Sequence, residues 1–412
     1  MSELASRPRL CGGCGSSGFG PKCACKQDYY FGAQRGDWFS HKKGDGAKKK
    51  EGRGDYGRED ARVAKARFEE GNAHHEQGRY GQAEQCYLEA RRIAMGVHGE
   101  FHDRVGVVSH NLGNTYSSMG RYDDAMKMLQ ESLRCYKNTH GDRSKEVGDA
   151  LKAMGATLLD QGRYDEALAK LEEAHGIFRK TVGTEHSAVA GVLTTKAGCY
   201  FHMGRLDEAR AMEQEALRIN RIVHGDDSNS VAISLGNLAA GLAARGMLEE
   251  ARINYVESLG IRRRVHGELH PSVAAMFNNI ADVLSRQGQH DEALKMHGKA
   301  VKIQRQVLGE HHKDVADSLV NMAAVYDDQV KPDEAMDAYK EALTVYTRAL
   351  GIDNRENADV YLNMAMILDS TGDVSGALDN VREAVRINAK HGRTDQWSDE
   401  ASDLLRRLES IE

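Results

Sequence analysis

The chain has 412 residues, 40 % hydrophobic and only 6 % aromatic, with a formal net charge of −6. Residues 1–60 carry 12 Lys or Arg against 8 Asp or Glu, and the rest 44 against 54, which excludes the dense basic face that nucleic-acid phosphates demand. No apolar run reaches the length of about 18 residues that a membrane helix needs, and no stretch reads as a signal peptide, so a cytoplasmic protein is expected, with the nucleus as the alternative.

Residues 1–45 form a head with too little apolar material to fold by burial. Four of the seven cysteines crowd into residues 11–25, a usage that points to metal or reduced thiols rather than to a disulfide framework. Cys11 and Cys14 have the C-x-x-C spacing at which two thiolates bind one tetrahedral Zn²⁺, and Cys23, Cys25 and His41 offer further ligands. One zinc ion is expected here, the alternative being a flexible, metal-free head. The motifs C-x-x-C, C-A-C-K-x-x-Y-Y and Q-x-x-D-W-x-x-H-K-K between Cys11 and Lys43 resemble a MYND-type zinc finger, a small cross-braced domain that binds two zincs and recruits peptide motifs. Phe31 stands at one position of that family's third cysteine pair, and Asp45 at its last cysteine. The family's cross-brace leaves Cys23, Cys25, His41 and Asp45 for one site; Cys11, Cys14, Cys23 and Cys25 are the other set. Residues 46–63, with Lys48, Lys49 and Lys50 among glycines, read as a flexible linker.

From Ala64 to residue 393 one 42-residue unit recurs eight times without insertion or deletion. Its apolar residues fall at helical spacing, as in Leu112, Tyr116, Ala125, Leu129, Leu133 and Tyr136. Gly78, Gly120, Gly162, Gly204, Gly246, Gly288 and Gly372 divide each unit into two helices, with Val330 breaking the series, and Gly99 to Gly351 form a second ladder at the end of the second helix. Small residues, Gly71, Gly113, Gly155 and then Ala197 to Ala365, mark where the two helices approach closely. One such hairpin cannot bury both faces, so the units must stack into a solenoid. Val330-Lys331-Pro332 predicts a changed turn in the seventh unit. Ser398 is the expected N-cap of a last helix through Leu404, Leu405 and Leu408, covering the end of the array within residues 394–412.

The pattern resembles the tetratricopeptide repeat, and its long second helix and H-G-x-x-H-P-x-V linker, best seen from His266 to Gln304, are similar to the kinesin light chain group. The resemblance implies an all-α, right-handed α-solenoid of eight hairpins with a C-terminal capping helix, preceded by the small Cys-rich finger. It places unit positions 2, 5, 6, 9, 12 and 13 in a concave groove. Position six reads Asn111, Asn237, Asn279, Asn321 and Asn363, with Asn278 at position five and Asn72 and Asn114 at position nine. Asn offers a donor and an acceptor, so such a row can hold the backbone of an extended peptide whatever its sequence; the alternative is that these amides satisfy neighbouring helices. Kinesin-type light chains also carry an N-terminal heptad coiled coil that grips the motor heavy chain, and residues 1–60 show no heptads.

His98, His140, His224 and His266 precede helix-ending glycines, where they read as C-terminal caps rather than metal ligands. His74 with His75, and His311 with His312, read as surface or groove residues. No nucleophile, acid–base pair or phosphate-cradling loop stands out from the repeat, so a non-catalytic scaffold for other proteins or peptides is expected. The alternatives are a motor-linked cargo adaptor and a finger-containing transcription or chromatin regulator.

Overall fold

The computed structural model describes residues 56–392 and 396–411, which hold seventeen helices and no strand. Sixteen of them follow as eight pairs: α1 (Tyr56–Glu76) and α2 (Tyr80–His98), α3 (Asp103–Ser118) and α4 (Tyr122–His140), α5 (Lys145–Asp160) and α6 (Tyr164–Thr181), α7 (Ser187–His202) and α8 (Leu206–His224), α9 (Asn229–Ala244) and α10 (Leu248–His266), α11 (Pro271–Arg286) and α12 (His290–Leu308), α13 (Lys313–Asp328) and α14 (Pro332–Leu350), and α15 (Arg355–Thr371) and α16 (Val374–His391). The last is α17 (Gln396–Glu409). α1 begins eight residues before Ala64, inside the stretch expected to be a linker. No described helix is long and apolar enough to cross a membrane.

The described chain divides into two compact units at Val223 and His224. In residues 56–223, Phe68, Tyr87, Leu112 and Ala125 form one buried cluster, and Leu151, Leu171, Phe178, Val192 and Ile219 belong to another. Helix pairs lie close because the sequence puts nothing between them: a Cβ on Gly113 would sit 2.7 Å from Leu129 Cγ, and one on Gly155 2.7 Å from Leu171 Cγ. In residues 224–411, Val315, Leu319, Ala342 and Tyr346 anchor one cluster, and Leu362, Leu378, Val381 and Trp397 another. Each unit is a stretch of α-solenoid in which a hairpin buries on its neighbours the faces it cannot bury alone.

The turn inside each pair is set by backbone chemistry. Arg121 N–H reaches Tyr116 O at 2.9 Å and Gly120 N–H reaches Ser117 O at 3.0 Å, the paired bonds that satisfy the last carbonyls of a helix closed by a left-handed residue. Seven glycines take that position with φ between 71° and 86°. The eighth is Val330, at φ 59°, the one non-glycine with positive φ among the described residues. The changed turn expected there does not occur: Lys331 N–H still reaches Tyr326 O at 3.0 Å, and Pro332 opens α14, where its missing N–H costs nothing. Neighbouring contacts impose the turn on a β-branched residue that resists it.

Two end-cap expectations are corrected. Helix-ending histidines leave the last carbonyls to the glycine N–H, as Gly141 N–H does to Lys137 O at 3.0 Å. His140 Nε2 instead meets Asp103 Oδ1 at 2.9 Å and His266 Nε2 meets Asn229 Oδ1 at 3.0 Å, tying the open end of each hairpin shut. Other histidines start helices: His102, His186, His270 and His312 accept the N–H two residues on. α17 begins at Gln396 rather than after Ser398. Its apolar anchor on α16 is Trp397, 2 % exposed, together with Ala401 and Leu408.

Val330 is 84 % exposed, so replacing it removes no packing. Val330→Gly should raise unfolding stability by about 1 kcal/mol, the left-handed penalty of a branched residue less the entropy glycine adds to the unfolded chain. Denaturant titration checks this; an unchanged or lower midpoint would contradict the strain.

Candidate functional site

The first helices of successive hairpins pack on one another, α1 on α3, α3 on α5, α5 on α7 and α11 on α13, whereas second helices make no comparable contact. Hairpins crowded along their first helices and splayed along their second must curve with the first helices inside, so position six of the unit faces the inner surface of its own stretch. Asn111 lies on α3, Asn237 on α9, Asn279 on α11, Asn321 on α13 and Asn363 on α15.

In residues 56–223 the inner-face amides are largely spent on the fold. Asn111, buried, donates through Nδ2 to Asn72 Oδ1 at 2.9 Å, and the Tyr87 hydroxyl donates to the same oxygen at 2.7 Å. His75 Nδ1 lies 3.0 Å from Thr115 Oγ1, and Ser117 Oγ 2.7 Å from Thr157 Oγ1. Asn114 is buried, and its side chain bonds to no described residue. Beside it in the unit, His110 is fully buried with its Nδ1 unpartnered; burial pushes its pKa down to about 4, with Asp149 opposing and Lys152 adding.

Residues 224–411 divide their amides differently. Asn278 is committed at both ends: its Nδ2 donates to Ser318 Oγ at 2.7 Å and its Oδ1 accepts from His297 Nδ1, 2.9 Å away. Ser318 Oγ in turn donates to Gln304 Oε1 at 2.7 Å. Asn237, Asn279, Asn321 and Asn363, at position six of four consecutive hairpins, make no side-chain hydrogen bond to any described residue. Asn237 is 7 % exposed with its Nδ2 buried, Asn363 is 9 % exposed, and Asn279 and Asn321 are part-exposed. A buried amide without a partner costs about 1–3 kcal/mol; Asn279 and Asn321 hold unused bonding capacity at the surface, whereas that of Asn237 Nδ2 is enclosed. Three positions along α11, Asp282 lies on the same inner side, its side chain 47 % exposed and 4.0 Å from Arg286; partial desolvation raises its carboxyl above the usual carboxylate range, against the pull of Arg286.

The repeated Asn pattern alone does not separate Asn72, Asn111 and Asn278 from the unspent row. The distinguishing signal lies in the partners: His297 stands where other units carry Tyr, Leu, Glu or Val, while Tyr87 and Ser318 recur as Tyr255, Tyr339 and Ser234 and so give no signal of their own. The buried thiols Cys135 and Cys199 are pushed up by burial to about 11 and about 12, as expected of inert core cysteines. The head residues Cys11, Cys14, Cys23, Cys25 and His41 lie outside the described residues.

Stacked helical hairpins bearing a polar inner face define the class of α-solenoid binding repeats. The tetratricopeptide repeat description matches residues 62–138, 146–222, 189–264, 230–306, 272–348 and 314–390, and a second description of the same repeat matches 110–179; the chain belongs to the tetratricopeptide repeat family. Among solved structures, apo RapI is similar over 84 % of this chain and 98 % of its own, at 13 % identity and TM-score 0.54. A Rap protein complexed with competence and sporulation factor is similar over 85 % and 98 %, at 15 % and 0.53. Nearly identical TPR-like repeats assigned to a kinesin light chain of Podosopora anserina are similar over 48 % and 94 %, at 22 % and 0.44. No curated protein matches the chain.

His297 gives the amide network a pH signature. Burial holds its folded pKa at about 3, whereas the unfolded value is about 6.5. The unfolded chain therefore takes up a proton that the folded chain refuses, and the stability His297 contributes is present above about pH 6.5 and lost as pH falls toward 3. Between pH 8 and pH 5 the loss should be about 2 kcal/mol. His297→Gln, which keeps a donor for Asn278, should flatten that slope in urea unfolding, and an unchanged slope would refute the buried neutral imidazole.

Proposed function

We propose that the protein is a non-catalytic interaction scaffold that holds an extended peptide segment of a partner along the first helices α9, α11, α13 and α15. The observation that carries this reading is the row Asn237, Asn279, Asn321 and Asn363, four amides in consecutive hairpins at one unit position, none bonded to the fold. Asn279 and Asn321, part-exposed at the middle of the row, each present an N–H donor and a carbonyl acceptor, the pair that a peptide backbone complements without regard to side chains. Side-chain preference then falls to their neighbours, Asp282 among them, which favours a basic residue. Asn72, Asn111 and Asn278 support the face from behind by fixing Tyr87 and Ser318. Membership in a family of binding repeats and the likeness in fold to a Rap protein complexed with a factor agree with a scaffold. A cargo adaptor of the kinesin light chain kind, or a transcription regulator built on the head, rests on resemblance alone.

The head's zinc ion is a separate proposal. Metal analysis of the purified full chain tests it: zinc lost with Cys23→Ser supports a site in the head, and zinc content independent of all four head cysteines rejects it.

Asn279→Ala with Asn321→Ala in the full chain should weaken partner capture about 10–30-fold, at about 1 kcal/mol per lost bond, while stability shifts by no more than about 0.5 kcal/mol. Equal losses of binding and stability, or binding that survives, would return these amides to a structural role.

A further inference from the structure

The unit register says what residues 70, 74 and 86 should be. Position seven reads Leu112, Met154, Leu238, Ile280, Met322 and Met364 in most other units, and position eleven reads Tyr116, Leu158, Tyr200, Leu242, Leu284, Tyr326 and Leu368. In the first unit alone these positions read Glu70 and His74 on α1, one turn apart and so on one face of the helix. Across from them on α2 is Cys86, at a position no other unit gives to cysteine. Three departures from the repeat thus converge on one place.

We propose that Glu70, His74 and Cys86 form a transition-metal site, with Zn²⁺ the ion their donors fit best. One ligand atom from each, a carboxylate oxygen, an imidazole nitrogen and the thiol sulfur, lies within 4.8 Å of the others. Tetrahedral zinc with bonds of about 2.0–2.3 Å holds its ligands about 3.3–3.8 Å apart, so shifts of about 1 Å in flexible side chains close the set. Glu70 Oε1 and His74 Nε2 are already 3.9 Å apart. A thiolate with an imidazole selects zinc over the hard cations, which prefer oxygen alone.

Surrounding groups leave these donors available. His74 Nε2 lies 3.9 Å from Glu70 Oε1, beyond hydrogen-bond distance, and Nδ1 is buried without a hydrogen-bond partner, so no hydrogen bond at Nδ1 fixes the ring against ligation. Glu70 is held by Arg67 at 2.8 Å, but Arg67 also holds Glu89 at 2.9 Å and stays paired if the metal takes Glu70. Cys86 is 7 % exposed, and its thiol is raised by burial and by Glu70. Metal binding must therefore release the Cys86 proton to solvent as the metal–sulfur bond forms, and affinity should fall as pH falls. Glu70 is exposed, which places the fourth coordination position on the solvent side, where water can fill it.

The test uses the full chain carrying Cys11→Ser, Cys14→Ser, Cys23→Ser, Cys25→Ser and His41→Ala, so that the head supplies no competing donors. Titrating Co²⁺ should give a thiolate-to-metal absorption band saturating at one equivalent. Cys86→Ala should abolish the band, and His74→Gln and Glu70→Gln should each weaken binding at least as much as losing an outer-sphere partner does, ~10–100-fold. Zn²⁺ should raise the melting temperature of the parent chain more than that of His74→Gln at the same concentration. If Cys86→Ala does not fold, the two surface variants decide. A chain without the band, a band that survives Cys86→Ala, or affinity indifferent to both His74→Gln and Glu70→Gln would overturn the site and leave these residues as a polar face of the first hairpin.

Discussion

Everything in this protein hangs on a backbone conformation that must recur at a fixed interval. The residue closing each first helix takes positive φ, its N–H and the next satisfy the carbonyls left open by the helix end, and the chain turns back at the same angle every time. Because the turn never varies, the helices that follow start in the same register, and a side chain at one unit position faces the same way in each hairpin. Val330 shows the strength of the constraint: a residue that disfavours the conformation adopts it, held by the packing of α13 on α14.

A periodic scaffold converts sequence repetition into rows of like groups, and burial then decides what each group can do. On the inner face an amide must find a partner in the protein or keep its capacity for one outside. Asn111 and Asn278 have found theirs in Asn72, Ser318 and His297. The four at positions 237, 279, 321 and 363 have not, although Asn237 and Asn363 are more buried than Asn278. The cost of leaving them unpaired, about 1–3 kcal/mol each where water is excluded, is offset by the packing of Ala and Leu layers on both sides. Such a balance suits the binding surface proposed above, where bonding capacity withheld from the fold is left for a partner.

The fold was legible because it depends on residue types with few alternatives. Glycine at the two helix ends, small residues such as Gly113 and Gly155 where helices cross, and apolar spacing in between predict the hairpins and their stacking. The candidate row was legible only in part, since periodicity puts Asn on a face but is blind to whether Tyr87 or His297 has claimed its neighbour. End caps were misread for a related reason. A histidine beside a helix end can serve the helix it closes, the hairpin it belongs to or the helix that follows: His140 and His266 tie their hairpins through Asp103 and Asn229, 37 positions away, whereas His270 caps the next helix through Ser272 N–H. Trp397, a single aromatic outside the repeat, carries no period that marks it as an anchor.

The central claim, that the inner face of the first helices is where a partner lies, is tested most directly by site-specific photocrosslinking in the full chain. A photoreactive side chain placed at Ala240, Ala275 or Ala324 on the inner face should yield adducts to a partner, and one placed at Lys302 or Lys340 on second helices should not. Adducts arising equally from the second helices, or only from them, would contradict the account and move the binding surface to the outside of the array.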